Sequence, residues 1–141
     1  MARILVVDDE VDILRMLSAL FRSQGHEVIA IDDGNKAIDL LQGKERFDLM
    51  ISDVRMIPIN GIWLLSFVRE RFPDMPVIMI TAYYSEDVAA QAIKMGAVDY
   101  LAKPFNAQKL IELVNKVLKE RAGATAAKDR GGNAPPAAQK G

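Results

Sequence analysis

Short apolar runs of strand length alternate with stretches of helical periodicity along most of this chain, and this alternation constrains its fold more than any other feature. Several of the runs are nearly continuous in Val, Ile, Leu and Met. Such continuity is typical of parallel strands, because helices cover both faces of a parallel sheet. We predict strands at Ile4–Val7, Glu27–Ile31, Asp48–Ser52, Val77–Ile80 and Val98–Leu101.

A helical segment follows each predicted strand. Glycine or proline stands just beyond the end of each of the first four, and Asn106 is placed to cap the fifth. Strictly alternating strands and helices predict an α/β fold, with right-handed crossovers and helices on both faces of one parallel sheet. The predicted helices are Val11–Ser23, Asn35–Gln42, Ile62–Arg71, Glu86–Met95 and Gln108–Arg121.

The last part of the chain has a different composition. Residues 123–141 contain no Val, Ile, Leu, Met or aromatic residue, but are rich in Ala, Gly and Pro. Such a segment buries too little apolar surface to offset the entropy lost on ordering. We therefore expect one domain over residues 1–122 and a flexible tail over residues 123–141.

Composition narrows the function further. The formal net charge is −1, which does not mark a nucleic-acid binder, and the chain has no cysteine. No apolar stretch reaches the ~20 residues that span a membrane, and the amino terminus lacks the pattern of a signal peptide. We expect a cytoplasmic protein with no membrane contact.

His26 is the only histidine, which disfavours a zinc site or a serine-type triad, and we expect it to be solvated.

Polar side chains stand just after four of the predicted strands. In open parallel sheets, ligands bind at the carboxyl ends of the strands. Asp8 and Asp9 follow the first strand, Asp53 the third, Thr81 the fourth and Lys103 the fifth. Carboxylates brought this close repel one another unless a cation lies between them, and oxygen ligands favour Mg²⁺ or Mn²⁺. Lysine and threonine beside that cation could bind phosphate oxygens. The combination indicates a site for an aspartyl phosphate.

These residues resemble the response regulator receiver domain of two-component signal transduction, from the first residue to about residue 121. The resemblance implies a flavodoxin-like, doubly wound fold of five parallel strands in the order 2-1-3-4-5 with five helices. The matching segments are Asp8-Asp9 after ILVV, Asp53 within ISDVRM, Thr81-Ala82 after VIMI, and Lys103-Pro104-Phe105 after GAVDYLA.

The resemblance implies a role for each acidic residue. Asp53 accepts a phosphoryl group from a sensor histidine kinase or a phosphotransfer protein. Asp9, Asp53 and the backbone carbonyl of Arg55 hold Mg²⁺, for which Mn²⁺ can substitute, and Asp8 acts through metal-bound water. The protein is then a switch that assists its own phosphorylation and dephosphorylation, not an enzyme.

The resemblance also implies how the switch works. Lys103, which precedes a cis Pro104, and Thr81 bind the phosphoryl oxygens. Tyr100 is the aromatic switch residue, which turns from exposed to buried as Thr81 moves inward. The face formed by the fourth helix, fifth strand and fifth helix then changes for a downstream protein or output domain. A homodimer could use the same face. No nucleic-acid contact is expected from this segment.

Two features depart from the family pattern. The family places proline directly after the methionine that matches Met56, whereas here Pro58 comes one residue later, although Gly61 keeps its place. The loop after Asp53 is therefore expected to run differently. Arg55 and Tyr83 are bulky neighbours of the site, and we expect them to obstruct water and to lengthen the lifetime of the phosphoryl group.

Two alternative functions remain open. A phosphatase or phosphotransferase can also form an aspartyl phosphate, but such enzymes usually place an acid two residues after the nucleophile, where this chain has Arg55. A receiver-like module that no longer accepts phosphate could act through a protein interface alone. The complete set of acids, threonine and lysine counts against it.

Overall fold

The computed structural model describes residues 2–56 and 60–131, with side chains as far as residue 121. Within this part of the chain, five strands alternate with five helices. In chain order they are β1 (Arg3–Val7), α1 (Val11–Ser23), β2 (Glu27–Ile31), α2 (Gly34–Gln42), β3 (Leu49–Asp53), α3 (Gly61–Arg71), β4 (Val77–Thr81), α4 (Glu86–Lys94), β5 (Asp99–Ala102) and α5 (Ala107–Gly131).

The five strands form one parallel sheet in the order β2-β1-β3-β4-β5, which confirms the predicted fold. The strand order reverses beside β1, so the carboxyl ends of β1 and β3 flank the crevice where open α/β sheets bind ligands. The register pairs Val7 with Ser52 and Asp53 with Ile80, which brings these strand ends to one edge.

Two apolar cores lie on the two faces of the sheet. Leu5, Val7 and Met50 pack with buried residues of α2, α3 and α4, whereas Ile4 and Val6 pack with residues of α1 and α5. Successive residues of β1 from Ile4 to Val7 therefore belong to different cores, and all four are fully buried. This arrangement is the physical reason for the continuous apolar runs, because helices cover both faces of the central strands.

Most predicted boundaries lie within one residue of the observed ones, but the expected end of the last helix at Arg121 is wrong. Helix α5 continues to Gly131, so residues 123–131 are helical where we expected a flexible tail. Residues 122–127 read AGATAA, and alanine has the lowest cost of any residue in a helix. Residues 132–141 lie outside the described part of the chain. Among the helices of the described residues, none combines the length and the hydropathy of a membrane-spanning segment.

Helix α5 is anchored to the amino-terminal edge of the sheet at Arg121. One guanidinium nitrogen, Nη1, lies 2.7 Å from Oδ1 of Asp48, and Nε donates to the backbone carbonyl of Asp74 at 3.3 Å. The other carboxylate oxygen of Asp48 accepts a hydrogen bond from the Arg3 backbone N–H at 2.8 Å. These contacts join the end of the domain body to the loops before β3 and β4.

His26 is not solvated as expected. Its Nδ1 accepts a hydrogen bond from the Ala2 backbone N–H at 3.1 Å, and the side chain is half-buried. Burial, together with the positive charge of the amino terminus, lowers the pKa of His26 below 6.5, although Asp48 opposes the shift. A protonated Nδ1 cannot accept the hydrogen bond, so the folded protein favours the neutral ring.

The folded protein therefore binds a proton at His26 less readily than the unfolded chain does. The stability contributed by His26 is present above its ordinary pKa of about 6.5 and is lost as the pH falls through the lower folded-state value. We expect the free energy of unfolding of the His26→Gln variant to fall less between pH 8 and pH 5 than that of the parent. Urea denaturation across this range measures the difference, and parallel pH profiles would contradict the prediction.

Candidate functional site

The polar residues predicted at the strand ends lie at the carboxyl edge of the sheet, and backbone hydrogen bonds fix their positions. The Asp8 N–H donates to the Ile31 carbonyl at 3.0 Å, and the Lys103 N–H donates to the Thr81 carbonyl at 2.7 Å. Sheet pairing thus extends one residue beyond β1 and β5. The backbone of Asp8 and Lys103 is therefore held in the sheet, which limits the positions that their charged groups can take.

The ammonium group of Lys103 contacts three carboxylates. Its Nζ lies 2.8 Å from Asp8 Oδ2, 2.7 Å from Glu10 Oε1 and 3.3 Å from Asp53 Oδ2. The Lys103 side chain is only 7% exposed, and the peptide bond to Pro104 is cis, as the resemblance implies. The structure therefore brings Asp8, Asp53 and Lys103 together as predicted.

In this cluster, burial sets the direction of the pKa shift at Asp8 but not at Lys103. It raises the pKa of Asp8 to about 6, although hydrogen bonds from Lys103 and from the Glu10 N–H favour the ionised form, and the negative charge of Asp53 adds to the increase. Burial alone would lower the pKa of Lys103. Its hydrogen bonds to Asp8 and Glu10 and the charges of Asp8 and Asp53 outweigh burial, so its pKa lies above the usual range. Lys103 therefore stays cationic while the acids compete for its charge.

The clustered carboxylates fit a hard divalent cation. Asp8, Glu10 and Asp53 each offer an oxygen within 4.8 Å of the others. Three acids share one ammonium group, so a further positive charge would relieve their repulsion. An all-oxygen donor set suits Mg²⁺ or Mn²⁺ better than zinc. The predicted ligand Asp9 lies outside this group of carboxylates, and its side chain is exposed.

Glu10 is the site residue that the sequence reasoning missed. It occupies the N-cap position of α1, but its side chain makes no capping hydrogen bond and reaches Lys103 instead. A role limited to stabilising the helix dipole therefore does not account for its position. The signal was present as the third acid of the run Asp8-Asp9-Glu10, but strand and helix patterns do not show which acid turns inward.

Thr81 and Tyr100 lie together beside Asp53, and both are buried. Thr81 Oγ1 accepts a hydrogen bond from the Tyr83 N–H at 3.0 Å. Burial raises the pKa of the Tyr100 hydroxyl, and a hydrogen bond with the Thr81 side chain opposes the rise. Tyr100 thus has the buried position that the resemblance associates with an inward Thr81.

Arg55, in the loop after β3, and Tyr83, in the loop after β4, form a stacked pair. The Arg55 guanidinium lies 4.6 Å from the centroid of the Tyr83 ring, a favourable cation–π geometry. The Arg55 backbone N–H lies 3.4 Å from Asp53 Oδ1. Both side chains are exposed, and they connect the loop after β3 with the loop after β4.

Gly61 holds the loop after Asp53 close to the sheet. Its N–H donates to the Val54 carbonyl at 2.7 Å, and a Cβ atom at this position would lie 1.9 Å from the backbone oxygen of Asp53. No side chain fits there without moving the backbone of Asp53. The predicted effect of Pro58 falls on residues 57–59, which lie outside the described part of the chain.

Comparisons with known proteins identify the family of this chain. The family model described as the response regulator receiver domain matches residues 4–115. The chain therefore belongs to the response regulator receiver family, whose members act as signalling switches in bacterial two-component systems. The response regulator protein FleR of Pseudomonas aeruginosa is 42% identical over 113 residues, which cover 80% of this chain and 24% of FleR. The transcriptional regulatory protein ZraR of Klebsiella oxytoca is 41% identical over 107 residues, covering 76% of this chain and 24% of ZraR.

Solved structures show the same relationship. The receiver domain of the Francisella response regulator 1452 matches with a TM-score of 0.79 and 31% identity, covering 85% of this chain and 98% of that domain. NtrX from Brucella abortus, solved in complex with ADP, matches with a TM-score of 0.84 and 31% identity, covering 91% of this chain and 29% of NtrX. The chain spans about a quarter of the length of FleR and ZraR.

Because Gly61 lies against the backbone of Asp53, we expect a methyl group added at Gly61 to destabilise the protein. We expect Gly61→Ala to lower the free energy of unfolding by roughly 1–3 kcal/mol, because the new Cβ must displace the Asp53 backbone. Gly43→Ala is the matched control, since its Cβ would meet only ordinary contacts, at 3.4 Å and beyond. Urea denaturation of both variants measures the difference. Equal stabilities of the two variants would contradict the prediction.

Proposed function

We propose that this receiver accepts a phosphoryl group on Asp53 from a phosphohistidine of a sensor kinase or phosphotransfer protein and acts as a phosphorylation-controlled switch. The observation that carries the proposal is the ammonium group of Lys103, which lies 3.3 Å from Asp53 Oδ2 among carboxylates at the edge of the sheet. A carboxylate with a fixed cation beside it is suited to attack phosphorus and to tolerate the added charge.

The chemistry requires one substitution at phosphorus. An oxygen of Asp53 attacks the phosphoryl group, an oxygen–phosphorus bond forms, and the nitrogen–phosphorus bond to the donor imidazole breaks. The imidazole leaves with the electron pair and takes up a proton. Lys103 binds a phosphoryl oxygen and offsets its charge, and the Thr81 hydroxyl donates to another. Mg²⁺, when bound, neutralises the acids and the transferred group.

The residues proposed to hold Mg²⁺ are Asp9, Asp53 and the backbone carbonyl of Arg55, with Asp8 acting through water and Mn²⁺ able to substitute. The exposed side chain of Asp9 must turn toward Asp53 to take this role. Glu10, which lies 2.7 Å from Lys103, then competes with the phosphoryl group for the ammonium group. Cation binding would neutralise Asp8 and Asp53 and leave Lys103 free to engage the phosphoryl oxygens.

The output is proposed to pass through α4, β5 and α5. Tyr100 on β5 and Thr81 at the end of the paired strand β4 are both buried, so an inward movement of Thr81 is proposed to act on the conformation of β5. A groove of about 410 Å³ beside β5 and α5, lined by Leu101, Phe105 and Lys109 among others, offers a partly apolar surface. A downstream protein or an output domain would bind there, and a second copy of the chain could use the same face.

The proposed role is that of a cytoplasmic signalling switch with self-assisted phosphotransfer, without contact to nucleic acid or membrane. A phosphatase of the aspartyl-phosphate type usually places its general acid two residues after the nucleophile, where this chain has Arg55, whose side chain stacks on Tyr83. The receiver itself is proposed to comprise residues 1–122, with helix α5 continuing beyond it.

The direct test of the proposal is chemical labelling of Asp53. Incubation with acetyl phosphate and Mg²⁺ is expected to add one phosphoryl group, seen by mass spectrometry of the intact chain. Chelation of Mg²⁺ and the Asp53→Asn variant should each abolish the added mass. Asp39→Asn, which changes an exposed aspartate on α2, is the matched control and should be labelled like the parent.

The same assay separates the proposed metal ligand from its neighbour. Asp9→Asn is expected to lose Mg²⁺-dependent labelling, whereas Glu10→Gln should keep it because Glu10 is assigned no contact with the cation. Labelling of Asp53→Asn at the parent level would overturn the assignment of the acceptor. If Glu10→Gln loses labelling while Asp9→Asn keeps it, the contact with the cation belongs to Glu10 and not to Asp9.

The stacked pair of Arg55 and Tyr83 predicts a slow loss of the phosphoryl group. Because the pair lies beside Asp53, we expect it to hinder the approach of the attacking water. Arg55→Ala and Tyr83→Ala should each lose phosphate several-fold faster than the parent, measured by the decay of labelled protein after removal of the donor. Arg71→Ala is the matched control, since Arg71 stacks on Phe67 at 5.3 Å on α3. Decay of both test variants at the parental rate would contradict the role of the pair.

A further inference from the structure

Tyr84 packs against the proposed switch residue. The ring centroids of Tyr84 and Tyr100 lie 5.3 Å apart with an interplanar angle of 65°, which is an edge-to-face arrangement. Tyr84 is 52% exposed, whereas Tyr100 is only 6% exposed. An aromatic ring at the surface therefore contacts a ring buried behind it. Such pairs are favourable beyond the apolar area that they bury.

The backbone connects Tyr84 with Thr81. The Tyr83 N–H donates to Thr81 Oγ1, and Tyr84 is the next residue along the chain. On its other side, Ser85 caps α4 by accepting a hydrogen bond from the Val88 N–H. Tyr84 thus lies in a short link that is held at both ends. A movement of the Thr81 side chain would therefore shift the backbone of Tyr83 through this hydrogen bond, and with it the backbone of Tyr84.

The two neighbouring tyrosines contact different partners. The ring of Tyr83 lies under the guanidinium of Arg55, which belongs to the loop after Asp53. The ring of Tyr84 contacts Tyr100 instead. The two-residue segment Tyr83-Tyr84 therefore contacts both Arg55, in the loop after Asp53, and Tyr100, the proposed switch residue. Of these two tyrosines, Tyr84 is therefore the one placed to favour one position of Tyr100 over another.

We infer that Tyr84 is a positioning residue that holds Tyr100 in its buried position and thereby biases the receiver toward the conformation that binds a phosphoryl group. This inference rests on the function proposed above for Asp53, Thr81 and Tyr100. The bias is reciprocal, because a contact that favours the buried Tyr100 also favours any ligand that binds best to that conformation. Removing the Tyr84 ring should therefore weaken binding at Asp53 without changing a residue that touches the ligand.

The chain allows a selective measurement of Tyr100. It contains three tyrosines, and all of them belong to this region, so incorporation of 3-fluorotyrosine gives three fluorine signals. Tyr84→Phe removes and thereby assigns the Tyr84 signal, Tyr83→Phe assigns the Tyr83 signal, and the remaining signal belongs to Tyr100. We expect the Tyr100 signal to become sensitive to the exchange of H₂O for D₂O in Tyr84→Ala. It should stay protected in the parent and in Tyr84→Phe, which keeps the ring.

Binding supplies the functional readout. Beryllofluoride with Mg²⁺ serves as a stable analogue of the phosphoryl group, and its affinity is measured by titration of the same fluorine signals. We expect Tyr84→Ala to bind about 2- to 10-fold more weakly than the parent, the effect that an edge-to-face aromatic pair can account for. Tyr84→Phe should bind like the parent. Circular dichroism on heating establishes that each variant is folded, and Tyr84→Leu, which keeps apolar bulk without a ring, provides a second ring-free variant.

The outcomes separate the two proposals. If the parent does not bind beryllofluoride, the function proposed for Asp53 fails, and the inference about Tyr84 fails with it. If the parent binds but the ring-free variants bind equally well, the inference is overturned while the proposed function stands. A Tyr100 signal that stays protected from solvent in folded Tyr84→Ala would also overturn it.

Discussion

A single buried ammonium group organises the carboxyl edge of this sheet. Lys103 follows β5 and reaches Asp8 after β1 and Asp53 at the end of β3, so one positive charge connects three strand ends. Neither Asp8 nor Lys103 could be buried alone, because an unpaired charge in the interior is strongly unfavourable. The site therefore depends on mutual compensation. A group that alters the charge at Asp53 changes the environment of every other member.

The fold could be predicted almost completely from the sequence, because its main determinant is repetitive. Helices on both faces of a parallel sheet force each strand to be apolar on both sides, and five such runs stand out along the chain. The end of α5 was missed for a related reason. An alanine-rich segment carries no pattern of burial, and the same lack of apolar residues fits either an irregular tail or a solvated helix.

Within the site, residue types were predictable but side-chain directions were not. Asp8, Asp53, Thr81 and Lys103 occupy strand ends, so the topology alone brings them together. Asp9 and Glu10 lie in the turn before α1, where no sheet pairing fixes the direction in which each side chain points. The contacts of Arg55 with Tyr83 and of Tyr84 with Tyr100 likewise join separate loops, and local sequence patterns do not encode such pairs.

The anchoring of Arg121 to Asp48 gives α5 a mechanical property. The helix continues to Gly131, ten residues past that anchor, which corresponds to about 15 Å at the usual rise of a helix. Because the helix begins 14 residues before this anchor, a tilt about Arg121 would displace its two ends in opposite directions and by comparable distances. Repacking of α5 against β5 would therefore move the projecting end sideways, and the ion pair at Arg121 would serve as its fulcrum.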